Sequence, residues 1–257
     1  MTESLTWMPA WQIRDLIGKQ EISPVEVTDH FLGRNPTVTI GPLARDLRDA
    51  AITLQAMAGP AGRDFDCMQN DPPDCVTGLD AGIGGMRFAW TDDYGLTEMY
   101  AFEQSPRVIQ AIRGVAMSLA DLGAEIDSVD ETWEDFWDGY VATNYLFGGG
   151  PTGTMEPPKR EQWISAMDVR QRNWTKFRSV LRDHDVILSA TAQIVAPTIE
   201  DWADYWVGKG PMPFPHGTFA PHYTSHTHMF NWLGFPAVSV PAGFLDANPR
   251  DEQPPVS

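Results

Sequence analysis

The feature that most restricts the fold of this chain is a strand, a helix and a second strand that follow one another near its middle. Met86–Trp90, apolar except for Arg87, is typical of a buried strand. Ser105 and Pro106 then begin a helix whose apolar residues recur every three or four positions as far as Gly123. Ala124–Val129 alternates as a strand does. This order predicts two parallel strands joined by a crossover helix, and therefore an α/β fold.

Further elements are predicted on both sides of this unit. An amphipathic helix carries apolar residues from Leu43 to Met57 and ends at Gly59. Two shorter helices open the chain, the first ending at Gly18 and the second beginning at Ser23. Helices are also predicted at residues 131–147 and 161–183, and buried strands at residues 185–190 and 237–240. We therefore predict a mixed β-sheet flanked by helices in one domain, residues 1–245, followed by a polar, disordered tail at residues 246–257.

The charge balance argues against a role on nucleic acid. The chain has 35 acidic and 18 basic side chains and a formal net charge of −17, whereas nucleic acid is bound largely through Lys and Arg. Its apolar runs are shorter than the roughly 18–20 residues of a membrane helix, and Met1–Ser4 does not begin an export signal. We expect an acidic cytoplasmic protein, in which Cys67 and Cys75 are free thiols.

Two motifs have spacings that are typical of binding sites. Gly148–Gly153 fits the spacing of a dinucleotide-binding loop, but a helical segment precedes it, and we interpret it as a flexible loop. His222, His226 and His228 form a cluster with His216 nearby. Spacings of four and two do not share one face of a helix or strand, so a metal site would require a turn and a fourth ligand. We predict a polar, partly exposed loop instead, and no metal.

A search for catalytic motifs finds none. The chain has no nucleophile elbow, no serine three residues before a lysine and no zinc-protease motif. The four lysines lie in polar or loop-like contexts that would not lower a lysine pKa enough for it to act as a base. They are Lys19, Lys159, Lys176 and Lys209. Paired carboxylates such as Asp92 and Asp93 are common in so acidic a chain and do not by themselves indicate a site.

Several segments, taken in order, resemble the amidase-signature family of amide hydrolases. Trp11–Val27 resembles its N-terminal helix pair, and Gly41–Gly59 is similar to the helix after its catalytic core. Gly85–Trp90, Leu119–Ala124 and Asp185–Pro197 resemble later strands and a helix end. Phe230–Gly243 resembles the turn and strand beside the pocket near the C-terminal end. Six such segments in the same order are together specific, although each is weak alone.

The resemblance implies that the catalytic segment is absent. The family's chemistry uses a lysine, a bridging serine, a nucleophilic serine and a Gly/Ser-rich oxyanion loop, all between the N-terminal helix pair and the Gly41–Gly59 helix. Only residues 35–40 separate those landmarks here. Lysine is never followed by aspartate in this chain, and a Gly-Gly-Ser-Ser-like loop is missing. The resemblance therefore carries over no catalytic residue. It also stops near Phe244, so we expect a truncated C-terminus.

What the resemblance implies for function follows from this gap. The lineage reaction is hydrolysis of a non-peptide amide to an acid and ammonia or an amine, without metal or organic cofactor. A general amidase is the closer relative, because Thr224 stands about where the amidotransferase branch has an aspartate. Four interpretations remain open: an inactive pseudoenzyme, a non-catalytic binding or partner subunit that retains the pocket walls, the product of a mis-assembled gene for an active amidase, and an amide hydrolase with a rebuilt site.

The resemblance also predicts a binding surface and partners. Thr227, Asn231 and Gly234, on the pocket-side turn, are the predicted substrate-binding residues, for a small-molecule amide. Apolar stripes shaped for absent neighbours, from Leu43 to Leu54 and from Val108 to Leu119, predict exposed apolar surface. We expect a homo-oligomer or a partner protein to cover it, and neither nucleic acid nor membrane to be a partner.

Overall fold

The fold was obtained as a computed structural model, and two compact units can be recognised in it. The residues described are 16–23, 39, 41–60, 70–72, 74–96, 104–146, 158–195, 226–245 and 255–256. One unit comprises Met1–Ala81 with Thr143–Pro157, and the other comprises Gly82–Ala142 with Pro158–Ser257. The predicted single domain over residues 1–245 and the predicted disordered tail both stay predictions.

The first unit contains helix α1, Leu47–Met57, as the amphipathic pattern predicted. Asp46 caps the helix, since its carboxylate accepts the backbone N–H of Arg48 at 2.7 Å. The guanidinium of Arg48 in turn donates two hydrogen bonds of 2.9 Å to Asp80. Gly59, with φ of 134°, follows the helix, because only glycine adopts that conformation without strain.

The apolar stripe of α1 lies largely at the surface. Leu47, Leu54 and Met57 are exposed, and so is Leu43, which precedes the helix. Ala51 is the residue of α1 that is buried. Exposed apolar surface, as predicted, is therefore present at these residues.

The end of the first predicted helix differs in detail. Residues 16–18 are helical, and the left-handed residue after them is Gln20, with φ of 59°, rather than Gly18. The N–H of Gln20 donates to the carbonyl of Ile17, and that of Glu21 to the carbonyl of Leu16, both at 3.0 Å. These two hydrogen bonds form a Schellman motif, in which the helix ends at Gly18 as predicted and the left-handed residue follows two positions later. The predicted helix from Ser23 lies mostly outside the described residues.

The second unit is built on a parallel sheet, as the central pattern predicted. Its elements are strand β1, Arg87–Trp90, helix α2, Ser105–Ser118, a 3-10 turn, Leu119–Leu122, strand β2, Glu125–Ser128, and strand β3, Val186–Leu188. The strand order is β2-β1-β3, and β1 pairs in parallel with both neighbours. Gly123, in the left-handed region at φ of 90°, ends the 3-10 turn before β2.

Helix α2 covers one face of this sheet. Val108 and Ile112 of α2 are buried in a cluster with Trp90 of β1. The expectation that this stripe is uncovered is therefore wrong for these residues, because the sheet itself supplies their neighbour. Val115 of the same stripe is exposed, and so is Leu122, which follows it.

The opposite face of the sheet is covered by helices α4, Arg160–Leu181, and α5, His228–Leu233. Ala89, which points away from Trp90 because side chains alternate along a strand, lies in this second cluster. Trp133 stacks on Phe177 of α4, with ring centroids 4.3 Å apart and planes at 10°. Helices on both faces of a parallel sheet confirm the α/β class.

One predicted helix is shorter than expected. Helix α3 spans Trp137–Leu146, whereas the prediction began at residue 131. Residues 131–136 are irregular because their polar backbone is bonded elsewhere: Asn173 of α4 binds both the N–H and the carbonyl of Glu134. Trp133 and Phe136 are buried from this irregular segment.

The predicted buried strand at residues 237–240 is wrong. This segment has no strand structure, and the side chain of Val238 is 78% exposed. Pro236 and Pro241 flank it, and proline removes a donor from any ladder. Strand β4, Gly243–Phe244, follows instead and pairs antiparallel with strand β5, Pro255–Val256.

Among the helices of the described residues, none combines the length and apolar character needed to cross a membrane. This finding agrees with the absence of a long apolar run in the sequence.

Candidate functional site

The three predicted substrate-binding residues lie on and around helix α5. Thr227 is the N-cap residue, Asn231 lies one turn later, and Gly234 ends the helix at φ of 75°. The N–H of Gly234 donates to the carbonyl of Asn231 at 3.2 Å, and that of Phe235 to the carbonyl of Phe230 at 3.0 Å, which is a Schellman motif. Residues four apart share one face of a helix, so Thr227 and Asn231 are brought together. We call residues 226–235 the pocket turn.

The other face of α5 fixes the pocket turn in the core. Met229, Trp232 and Leu233 are buried in the cluster under helix α4. The Nε of Arg170 in α4 donates to the carbonyl of Trp232 at 2.7 Å, which satisfies one of the last carbonyls of α5. Thr227 and Asn231 are half-buried and Gly234 is exposed, so this polar face is accessible. Their role in binding substrate stays a prediction.

A largely buried polar cluster lies next to the pocket turn, at the carboxyl ends of β1 and β3. It consists of Tyr94, Ser189 and His226. The hydroxyls of Tyr94 and Ser189 are hydrogen-bonded, and the edge of the Tyr94 ring meets that of His226 at 84° with 5.5 Å between centroids. Burial raises the pKa of Tyr94 well above its usual value, so the phenol is protonated and is not a base. The cluster therefore does not resemble a nucleophile with its base.

The backbone of Tyr94 adds to the unusual character of this cluster. Its φ is 59°, in the left-handed region that bulky residues rarely adopt. Its N–H donates to the Thr91 hydroxyl at 3.0 Å, and the full burial of its ring holds the residue there. Backbone strain of this kind is concentrated at binding and catalytic sites.

His226 corrects the prediction of a partly exposed histidine loop. Its ring is buried, with 2% exposure, and its Nδ1 lies 2.8 Å from the carbonyl oxygen of Ala190. Burial lowers the pKa of His226. His228, by contrast, is half-buried and lies edge-on to Tyr140 at 4.3 Å. The part of the chain that the structure describes holds no group of metal-ligating side chains, while His216, His222 and the Gly148–Gly153 loop lie outside it.

A cleft of about 280 Å³ opens where β1 and β2 end. Residues after β1, residues after β2 and Arg113 of α2 line it, including the carboxylates of Asp92, Asp93, Asp130 and Glu131. Asp92 accepts a hydrogen bond from the indole N–H of Trp90 at 2.6 Å and lies 3.6 Å from Arg113. Sequence reasoning passed over Asp92 and Asp93. Their position directly after a predicted buried strand was the available signal, since ligands bind at the carboxyl ends of parallel strands.

Several of the described serines are engaged in structural contacts. Ser118 and Ser179 donate to helix carbonyls, Ser128 accepts from Arg113 at 3.1 Å, and Ser239 pairs with the hydroxyl of Thr191 at 2.9 Å. The ammonium of Lys176 donates to the carbonyl of Thr132 at 2.6 Å. These contacts join no serine hydroxyl to a lysine or histidine, which is the pairing that activates a nucleophile.

Comparisons with known proteins give related sequences and a related fold. No protein-family model matches the chain. It aligns with an acylamidase of Rhodococcus erythropolis at 23% identity, over 79% of this chain and 45% of that protein. It aligns with a glutamyl-tRNA(Gln) amidotransferase subunit of Brachyspira hyodysenteriae at 26% identity, over 81% of this chain and 49% of that one. The chain thus spans about half the length of these curated relatives.

The solved structures agree on the fold. The crystal structure of a bacterial aryl acylamidase, described as an amidase-signature enzyme, matches 88% of this chain and 52% of its own with a TM-score of 0.60. The sequence identity across this match is 19%, so the likeness concerns the fold.

Proposed function

Because its sequence and structural neighbours are consistently amidase-signature proteins, we propose that this chain is a member of that family that does not itself hydrolyse amides. The lineage reaction is the hydrolysis of a non-peptide amide to a carboxylic acid and ammonia or an amine. The proposed protein keeps part of the family's fold and lacks the groups that perform this reaction.

The observation that carries the proposal is the short connection at residues 35–40. The resemblance expects the lysine, the bridging serine, the nucleophilic serine and the oxyanion loop at this place, and these six residues contain neither lysine nor serine. A rebuilt site elsewhere would have to supply a nucleophile, a base and an oxyanion hole together, and loss of one such component alone lowers rates by about 10² to 10⁴ or more.

The contacts of the described residues support the proposal. The half-buried hydroxyl of Ser189 is hydrogen-bonded to the protonated phenol of Tyr94. A phenol whose pKa is raised by burial does not remove a proton from serine at neutral pH. The histidine beside it, His226, uses Nδ1 on the Ala190 carbonyl rather than on a serine.

We expect the purified protein to release no ammonia from butyramide or benzamide and not to react with a fluorophosphonate serine probe. An active amidase assayed in parallel serves as the positive control, and the Ser189→Ala variant serves as the matched protein control. Activity or labelling that disappears in Ser189→Ala, or in any one other serine variant, would show that the chain has a working nucleophile and would overturn the proposal.

A second candidate function is binding without hydrolysis, as a module or a partner subunit. It is favoured by the polar face of the pocket turn, where Thr227 and Asn231 lie one helical turn apart beside the exposed Gly234. In this function Thr227, Asn231 and Gly234 contact a small-molecule amide. One relative is named as a component of an amidotransferase, which supports a role within an assembly.

The exposed apolar side chains predict association. Leu47 and Leu54 of α1, and Val238 and Val240 after the pocket turn, are large apolar groups at the surface of the described residues. We expect light scattering coupled to size-exclusion chromatography to show self-association at micromolar concentration. Failing that, the monomer should bind a hydrophobic dye, as a subunit lacking its partner would. A monodisperse monomer that binds no dye would contradict this function.

The third interpretation, a mis-assembled gene of an active amidase, has a direct test. Sequencing the transcript across the codons for residues 35–40 would reveal an additional segment if one has been lost from the reading frame. A transcript that matches the present sequence leaves the non-hydrolysing protein as the product.

A further inference from the structure

His226 connects the pocket turn to the end of strand β3. Its Nδ1 lies 2.8 Å from the Ala190 carbonyl, which can only accept a hydrogen bond, so Nδ1 carries the proton. In the neutral ring, Nε2 therefore carries a lone pair. Among the described residues this buried Nε2 has no hydrogen-bond partner. The neutral ring thus makes one hydrogen bond, and this bond joins two residues that are 36 positions apart in the sequence.

Protonation of this ring would be unfavourable. A second N–H and a full charge would appear on a side chain that is 2% exposed, where burial disfavours the charged form. The described titratable groups around it are few. The loop after β1 contributes the Tyr94 phenol, whose ring edge faces the imidazole, and the Asp93 carboxylate.

The remaining neighbours offer no compensating charge within the described structure. The segment after β3 contributes the Ala190 carbonyl, and the pocket turn itself contributes His228, whose ring faces Tyr140. Burial opposes the charged form of His226, whereas the hydrogen bond to the Ala190 carbonyl and the Asp93 carboxylate both favour it. Burial is the largest effect, so the pKa of His226 lies below its ordinary value.

We propose that His226 is the positioning residue of the pocket turn, and that it holds the turn against the end of β3 most firmly while its ring is neutral, because the charged ring keeps the Nδ1–H donor but is costly to bury. The turn is therefore ordered at neutral pH and loosens as the protein is acidified. This proposal rests on the proposed binding function only in that the turn carries Thr227 and Asn231. The hydrogen bond and the burial that support it do not depend on that function.

The direction of the pH effect follows from linkage. Above about pH 6.5 the ring is neutral in both the closed and the opened turn, so pH has no effect. Below that value the opened turn takes up a proton that the closed turn resists, and stability is lost as pH falls toward the depressed pKa of the closed form. With an opened-state pKa of about 6.5, the opening equilibrium rises by up to about tenfold at pH 5.5.

Amide hydrogen exchange at pH 7.5 and pH 5.5 tests this, after correction for the intrinsic exchange rates. We expect the protection of residues 227–235 to fall by up to about tenfold at pH 5.5, while protection in helix α4 changes less. Equal protection of the turn at both pH values would overturn the proposal.

Three variants separate positioning by His226 from a merely structural role. His226→Asn keeps a side-chain N–H donor near the Nδ1 position but does not titrate, so the turn should stay protected at both pH values. His226→Phe removes the donor, so the turn should be unprotected at both. His184→Asn is the control, because His184 bonds instead to the Val180 carbonyl and Asp127, and it should keep the pH response of the unmodified protein. A pH response that survives in His226→Asn would contradict the proposal.

Two further measurements test the tautomer of His226 and the binding of an amide. If the His226 variants do not fold, ring ¹⁵N shifts of the unmodified protein at pH 7.5 should show the Nδ1–H tautomer, and the Nε2–H tautomer would overturn the proposal. Titration with benzamide tests the proposed binding function separately. No binding at either pH, with the expected exchange result, would refute benzamide binding and leave the role of His226 intact. Binding of benzamide to a protein whose turn is insensitive to pH would support the binding function and overturn the proposed role of His226.

Discussion

Replacing Asn173 with leucine is expected to lower the free energy of unfolding by about 2–4 kcal/mol, because two backbone groups lose their partners. Asn173 is fully buried in helix α4. Its Oδ1 accepts the N–H of Glu134 at 2.9 Å, and its Nδ2 donates to the carbonyl of Glu134 at 2.8 Å. Leucine has the same number of side-chain heavy atoms but can satisfy neither group. An unpaired buried group costs about 1–3 kcal/mol, and less where the residue is half-buried, as Glu134 is.

The matched control is Arg172→Ala, which removes the more visible interaction with the same residue. Arg172 forms two hydrogen bonds of 2.8 Å with the Glu134 carboxylate and lowers the pKa of that carboxyl. Both side chains are more than a third exposed, and exposed ion pairs contribute about 0–1 kcal/mol. The loss of the neutral buried amide should therefore lower the free energy of unfolding several times more than the loss of the charged pair beside it.

Guanidinium unfolding followed by tryptophan fluorescence and far-UV circular dichroism measures both variants. Coincidence of the two signals checks that the transition is cooperative. Trp133, next in sequence to Glu134 and stacked on Phe177, is one of the ten tryptophans that contribute to the fluorescence, which therefore follows the packing of the whole chain. Equal midpoints for Asn173→Leu and Arg172→Ala would show that the backbone of residues 131–136 does not depend on Asn173.

Local patterns in the sequence were sufficient to predict the parallel core of the second unit. The apolar run of β1, the helix start at Ser105 and the stop at Gly123 are signals within a few residues of the structure they specify, and all three are confirmed. The apolar stripe of α1 likewise predicted a helix. Whether a stripe is buried depends on other elements, and for this reason Val108 is covered while Leu47 is exposed.

The incorrect predictions share one physical cause: the structure of each segment depends on residues that are distant in the sequence. The irregular segment before α3 follows from Asn173, 39 residues away from Glu134. The burial of His226 follows from the Ala190 carbonyl, 36 residues away. The failed strand at residues 237–240 had a suitable apolar alternation, but a strand needs a neighbour with free backbone groups, and prolines stand at both ends of the segment. No periodicity within a segment reports such contacts.

The same dependence on distant neighbours makes Gly139 of helix α3 sensitive to substitution. An added Cβ at Gly139 would lie 2.6 and 2.8 Å from two ring atoms of Trp232 and 3.1 Å from the Cβ of Ala166. Trp232 is 1% exposed, and its carbonyl is held by Arg170, so the ring has little room to move. Close contact between helices α3, α4 and α5 therefore requires the absence of a side chain at this position.

Gly139→Ala should destabilise the protein by about 1–3 kcal/mol, because overpacking against a fixed ring outweighs the roughly 1 kcal/mol gain in helix propensity. Gly114→Ala in helix α2 is the matched control. An added Cβ there meets nothing within 4 Å, so the propensity gain of about 1 kcal/mol should appear unopposed. The two substitutions are chemically identical and should move the guanidinium midpoint in opposite directions. Displacement of Trp232 should also weaken protection at Asn231 in the Gly139 variant. Stabilisation by both substitutions would show that helices α3 and α5 are not in the close contact on which the position of the pocket turn depends.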